Sequence, residues 1–193
     1  LLDHLQLERA HIVGASMGGM IVQAIAIRHP HRVISMTSIM STTGNPNVGQ
    51  ATPAAMTAQM APPATSRDEA IERGKQSARI VGSPGYPAGD EVVAARIARD
   101  FDRCFYPIGV ARQMLAVMAT GDRSEALNTV TAPTLVIHGE DDPLVTLSGG
   151  QATAAAIPGA RLVTFPGMGH DLPASLRAKF VEVIAGHAAS VPG

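Results

Sequence analysis

Gly14-Ala15-Ser16-Met17-Gly18 constrains this chain more than any other stretch, because it stands directly between a short apolar run and a longer one. Ala10-His11-Ile12-Val13 reads as a buried strand entering the motif, and Gly19 to His29 reads as a helix stopped by Pro30. A sharp strand-to-helix turn lifts the serine hydroxyl above the end of a sheet, and glycines on either side let the backbone crowd around it. The first helical N–H groups then point into the space above the serine, where the Met17 N–H is placed to stabilise a developing oxyanion. The bare G-x-S-x-G pattern carries little weight in a chain with 19 glycines. Its setting sharpens it. The bland alternative is a glycine-rich turn with an idle serine, and residues far downstream argue against that.

Thr134-Leu135-Val136-Ile137-His138 reads as a second buried strand, followed by Gly139-Glu140-Asp141-Asp142-Pro143-Leu144-Val145. Arg161-Leu162-Val163-Thr164-Phe165 reads as a third, followed by Pro166-Gly167-Met168-Gly169-His170-Asp171. Each strand therefore delivers one candidate for nucleophilic catalysis, in the order Ser, Asp, His, just past its C-terminal end. Open α/β sheets build their sites at those ends. Ser16 is the candidate nucleophile and His170 the candidate base. Chemistry alone leaves Asp141 and Asp142 open as the acid, while Asp171, adjoining His170 in sequence, is expected to point away from it.

These three segments resemble those of the α/β-hydrolase fold superfamily, and the stretch Pro166 to Pro173 resembles small actinobacterial esterases of the aclacinomycin methylesterase type. The resemblance implies that Ser16 attacks, that His170 shuttles the proton, and that the spacing Gly139-x-x-Asp142-x-x-Val145 assigns the acid to Asp142. Asp141 is then a solvated loop carboxylate or a helix cap. The implied fold is α/β: the C-terminal part of an α/β-hydrolase, a parallel sheet flanked by helices with an inserted α-helical cap. The chain begins at Leu1, and the resemblance implies on the order of 100 preceding residues, at roughly 25–30 per strand–helix unit. Those residues would carry a His-Gly loop donating the second oxyanion N–H, and without them the Ser16 strand would keep an open edge. A chain limited to these 193 residues is accordingly expected to be sticky and weakly active.

Arg32 to Ser38 reads as the strand after the Ser16 helix. The pattern then changes. Residues 41–64 are rich in Thr, Pro, Gly, Ala and Met without a clear period, Ser66-Arg67-Asp68-Glu69 reads as a capping box for a helix to about Val81, and Asp90 reads as the cap of a helix to about Cys104. A third helix runs from about Pro107 to Thr120. Residues 41–123 are thus expected to form the cap, with 1–40 and 124–193 as the core. Met56 and Met60, and Met114 and Met118, are each four apart and share a helix face. Ordinary packing of cap on sheet is the preferred reading of each. Met17, beside the serine, and Met168, beside His170, are the better substrate-binding candidates. Cys104 is expected to be a small core residue.

Fifteen Lys and Arg against sixteen Asp and Glu give a net charge of −1, which offers nothing to nucleic acid or an anionic membrane. No apolar run is long enough to span a bilayer. One cysteine excludes an intrachain disulfide and favours a reducing compartment, so the expected location is the cytoplasm. His4, His11 and His187 lack partners at metal spacing, His29 and His31 flank Pro30 at a helix end, and His138 is expected to be structural. No metal or nucleotide cofactor is expected, since no phosphate-binding glycine loop is present. The leading function is a serine hydrolase cleaving small, neutral, apolar esters through an acyl-enzyme, because no cluster of Arg or Lys lies near the catalytic loops in sequence. A carbon–carbon bond hydrolase or a cofactor-free perhydrolase with the same triad is the alternative, and a non-catalytic ligand-binding homologue or inactive fragment is the non-enzymatic one.

Overall fold

A computed structural model describes residues 1–191 of the chain; the last two residues of the 124–193 segment lie outside the described residues. Four parallel strands form the sheet: β1 (Ala10–Ala15), β2 (Val33–Ile39), β3 (Thr134–Gly139) and β4 (Arg161–Phe165), side by side in that order. Ala15 pairs with Ile39, Ile39 with Ile137, and Gly139 with Phe165. That register lines up the C-terminal ends of all four strands along one edge of the molecule. Helices α1 (Met17–Arg28), α6 (Ser124–Leu127), α7 (Leu147–Ala156) and α8 (Arg177–Ala189) complete the crossovers and flank the sheet. This is an α/β fold.

Strand residues alternate between faces, and two apolar clusters follow. In one, Val22 and Ala26 of α1 meet Val33 and Met36 of β2, with Leu127 and Ile157. In the other, Leu135 and Ile137 of β3 meet Phe165 and Phe180 of α8, with Met168. Each fully buried aliphatic chain contributes roughly 1.5–3 kcal/mol, so helix–sheet packing, rather than the loops, holds the strand ends in a row. Among the described residues β1 pairs with β2 alone, and Val13 on it is 50% exposed.

Between β2 and β3 the chain forms α2 (Pro53–Gln59), α3 (Arg67–Val81), α4 (Asp90–Arg103) and α5 (Pro107–Thr120). The sequence pattern did not disclose α2, whose Ala-rich stretch has no period. Its start is nevertheless orthodox, with Pro53 in the first turn and Thr52 Oγ1 accepting from the Ala55 N–H. At α3 Ser66 caps by accepting from the Glu69 N–H, but the Glu69 carboxylate returns to Thr65 rather than to Ser66. The cap of α4 is Gly89; Asp90 is the first helical residue and pairs with Arg79. Cys104 corrects its expectation. The helix ends at Arg103, the backbone becomes extended, and the thiol-bearing residue is exposed, while Val93 is the buried residue of α4. Among the described residues no helix is long and apolar enough to cross a membrane.

Candidate active site

The turn between β1 and α1 is built around Ser16, whose φ of 55° and ψ of −117° place a non-glycine residue in a sparsely populated conformation. Such strain costs on the order of 1–3 kcal/mol and persists only where neighbours over-determine it. Two neighbours do so. The Ser16 N–H donates to the Ile39 carbonyl at the end of β2, 2.8 Å away. Gly14 lies so close to Gly18 that a Cβ would overlap the Gly18 carbonyl, so only glycine fits there. Met17 is the first residue of α1, and its N–H has no partner within the helix.

β3 and β4 bring the other two groups to the same place. His170 Nε2 is 2.8 Å from Ser16 Oγ, and His170 Nδ1 is 2.7 Å from Asp142 Oδ2. A carboxylate accepts, so the imidazole donates from Nδ1, which leaves the Nε2 lone pair facing the serine hydroxyl. Asp142 is 3% exposed, and its other oxygen accepts from the Leu144 and Val145 N–H groups, both at 2.9 Å. The loop after β3 therefore holds the carboxylate in one orientation. His138 lies 3.7 Å from Asp142 Oδ2 but hydrogen-bonds the Val145 carbonyl at 2.7 Å. Burial holds its imidazole below the usual histidine range despite that bond. His138 thus stays neutral and ties down the acid loop.

Asp141 is an exposed loop carboxylate and caps no helix, and it accepts from the Gly167 N–H at 2.8 Å. Asp171 points away from Asp142's position on the imidazole and accepts from Ser83. Among the described residues no cluster of His, Cys, Asp or Glu could hold a metal ion.

Ser16 opens onto two cavities. One, of about 360 Å³, is walled by Met17, Met20, Met56, Met60, Met114 and Val145 among others, and no charged side chain lines it. Met56, Met60 and Met114 thus face a cavity instead of packing on the sheet, whereas Met118 is 73% exposed. Met168 is the converse correction. It is fully buried among Ile137, Phe165 and Phe180, because the tight turn that presents His170 upward sends its neighbour down into the core. The second cavity, of about 460 Å³, lies beneath α3 and α4 and is lined by Ser16, Met40, His170, Asp171 and Arg96. Arg96 stands 80 positions from Ser16 in sequence, and only the folding of the insertion over the sheet edge brings it near. No local signal could have found it.

The whole stretch from residue 1 to residue 174 matches the alpha/beta hydrolase fold family. The chain belongs to that family. Among relatives of this hydrolase is rhodomycin D methylesterase of Streptomyces peucetius, 28% identical over 212 residues, covering 97% of this chain and 69% of the relative. Another is the 2-hydroxy-6-oxononadienedioate/2-hydroxy-6-oxononatrienedioate hydrolase of Cupriavidus pinatubonensis, 30% identical over 171 residues, covering 88% of this chain and 58% of the relative. The chain thus spans well under two thirds of that second protein. The meta-cleavage product hydrolase of Pseudomonas fluorescens superimposes with a TM-score of 0.75 at 24% identity, covering 98% of this chain and 68% of that one, and shares the fold.

Proposed function

We propose that this α/β-hydrolase chain carries the Ser16–His170–Asp142 triad of an enzyme that cleaves carboxylic esters through an acyl-enzyme. The observation that supports it most is the continuous hydrogen-bonded line from Ser16 Oγ through both imidazole nitrogens to Asp142. In the first step Ser16 Oγ bonds to the ester carbonyl carbon while its proton moves to His170 Nε2. The oxyanion so formed lies against the Met17 N–H. Collapse breaks the carbon–oxygen bond to the alcohol, which leaves with the Nε2 proton. Water then repeats the sequence on the acyl-enzyme and releases the acid. Asp142 holds the imidazole tautomer throughout and stabilises its positive charge without taking the proton.

The uncharged, methionine-walled cavity beside Ser16 favours a neutral, largely apolar group on the substrate. Compliant methionine walls also favour loose selection among such groups. The methylesterase relative accords with an ester. Arg96 favours a second reading: a guanidinium in the cavity shared by Ser16 and His170 suits a carboxylate-bearing substrate, and a relative named for a dioate substrate accords with carbon–carbon bond hydrolysis. A fluorophosphonate probe should label Ser16 and nothing else. Steady-state rates on matched p-nitrophenyl esters and vinylogous diketones then separate the two reactions. Lack of labelling at Ser16 would defeat both and leave a binding protein.

A further inference from the structure

The loop that carries His170 is held from two sides, by the segment after β3 and by the helical insertion. Four links join residues 81–85, at the end of α3, to residues 167–171. The His170 N–H donates to the Val81 carbonyl at 2.7 Å, and the Gly85 N–H donates to the Gly167 carbonyl at 2.9 Å. The Gly169 N–H donates to Ser83 Oγ at 2.9 Å, and Ser83 Oγ donates in turn to Asp171 Oδ1. The two segments touch so closely that a Cβ on Gly169 would overlap the Gly82 carbonyl. Ser83 is 3% exposed, and among the described residues it is the sole side chain that grips the backbone on one side of His170 and the side chain on the other.

A hydroxyl that accepts one bond and donates its single proton in another has its rotor fixed by that donation. Gly169 and Asp171 bracket His170, so the same hydroxyl sets where the imidazole stands between Ser16 and Asp142. We infer that Ser83 is a positioning residue for His170, and that Ser83 and Asp171 together couple the helical insertion to the catalytic imidazole. Asp171 also lines the cavity shared by Ser16 and Arg96. A ligand pressing on α3 and α4 from that cavity therefore reaches His170 through this pair.

The inference rests on the proposed role of His170, and its test includes a readout independent of ester hydrolysis. The proton NMR spectrum should contain a low-field imidazole resonance from the Nδ1–H shared with Asp142, identified by its loss in His170→Gln. In Ser83→Ala this resonance should shift or broaden, kcat for a neutral ester should fall roughly 10- to 100-fold as expected for sub-ångström to ångström misplacement, and KM should change less than about twofold. Ser83→Thr, which keeps the hydroxyl, should restore both signals. The pair should also be non-additive: Ser83→Ala and Asp171→Ala combined should lose little more than either alone. An unchanged resonance and kcat in Ser83→Ala would overturn the inference, as would equal losses in the alanine and threonine variants, which would make the site a packing contact. If Ser83→Ala does not fold, the threonine variant and Asp171→Asn carry the same test. A resonance that responds in a protein without esterase activity would uphold the positioning role and defeat the proposed reaction instead.

Discussion

Asp141 and Asp142 are neighbours in sequence that grip the His170 loop at two different points. Asp142 Oδ2 accepts from the imidazole, whereas Asp141 Oδ2 accepts from the Gly167 N–H three residues earlier. One carboxylate sets the tautomer, and the other pins the base of the loop that presents it.

The two should therefore respond very differently to loss of charge. Asp142→Asn keeps the shape, but its oxygen stays with the Leu144 and Val145 N–H groups, so a donating NH2 faces Nδ1 and the Nδ1–H form is no longer selected. We expect turnover to drop by roughly 10³- to 10⁴-fold. Asp141→Asn keeps an oxygen able to accept from Gly167, so a loss under about tenfold is expected. Single-turnover acylation with a p-nitrophenyl ester checks the ranking. Equal losses would mean that the acid role is shared or misplaced.

What the sequence disclosed and what it hid divide along a physical line. The strand ends, the glycine-rich turn and the residues delivered after β1, β3 and β4 are local: periodicity and turn chemistry fix them within a few positions. Ser66 and Pro107 marked their helices for the same reason. The unread parts depend on which surfaces meet. Met56, Met60, Met114 and Arg96 line cavities only because the insertion lies over the sheet edge, and Ser83 meets Asp171 across 88 positions. Met168 misled in the opposite way, since adjacency to His170 in sequence says nothing about direction within a tight turn. Cys104 misled because the helix stops one residue before it.

Arg96 decides between the two proposed substrate classes. It makes no ion pair with a carboxylate among the described residues, so its charge is free to meet substrate, although Asp171 shares the cavity. If the substrate is a neutral ester seated in the methionine-walled cavity, Arg96→Gln should change kcat/KM for neutral esters less than about threefold. If a carboxylate-bearing substrate is natural, it should be preferred at least about tenfold over its neutral analogue, and Arg96→Gln should abolish that preference. Measuring both substrates on both proteins settles the choice. A tenfold preference for the anionic member would overturn the neutral-ester reading.

Arg123 predicts a stability effect remote from the chemistry. It is 7% exposed, and its guanidinium donates to Gln23 Oε1, the Thr42 carbonyl and the Gly121 carbonyl. It therefore ties α1 to the loop after β2 and to the return from the insertion. Arg123→Ala leaves three acceptors without that donor, and a destabilisation of about 2–4 kcal/mol is expected. Urea unfolding reads it directly, and a change under about 0.5 kcal/mol would show that water replaces the guanidinium without penalty.

Two buried histidines make the fold sensitive to mild acid. Burial lowers the imidazole of His138, which bonds the Val145 carbonyl, and likewise that of His187, which bonds the Pro133 carbonyl. Each group is thus harder to protonate folded than unfolded. Below the ordinary histidine value of about 6.5 the unfolded chain binds more protons, so stability falls as pH falls. Above that value both states are neutral at these positions and the contribution is complete. Urea unfolding between pH 8 and 5.5 should show a plateau down to about 6.5 and then a decline, limited to about 1.4 kcal/mol per pH unit for each histidine. His138→Gln, which removes the titrating ring near Asp142, should shallow the decline. Stability that stays flat or rises between pH 6.5 and 5.5 would show that neither imidazole is held neutral by burial.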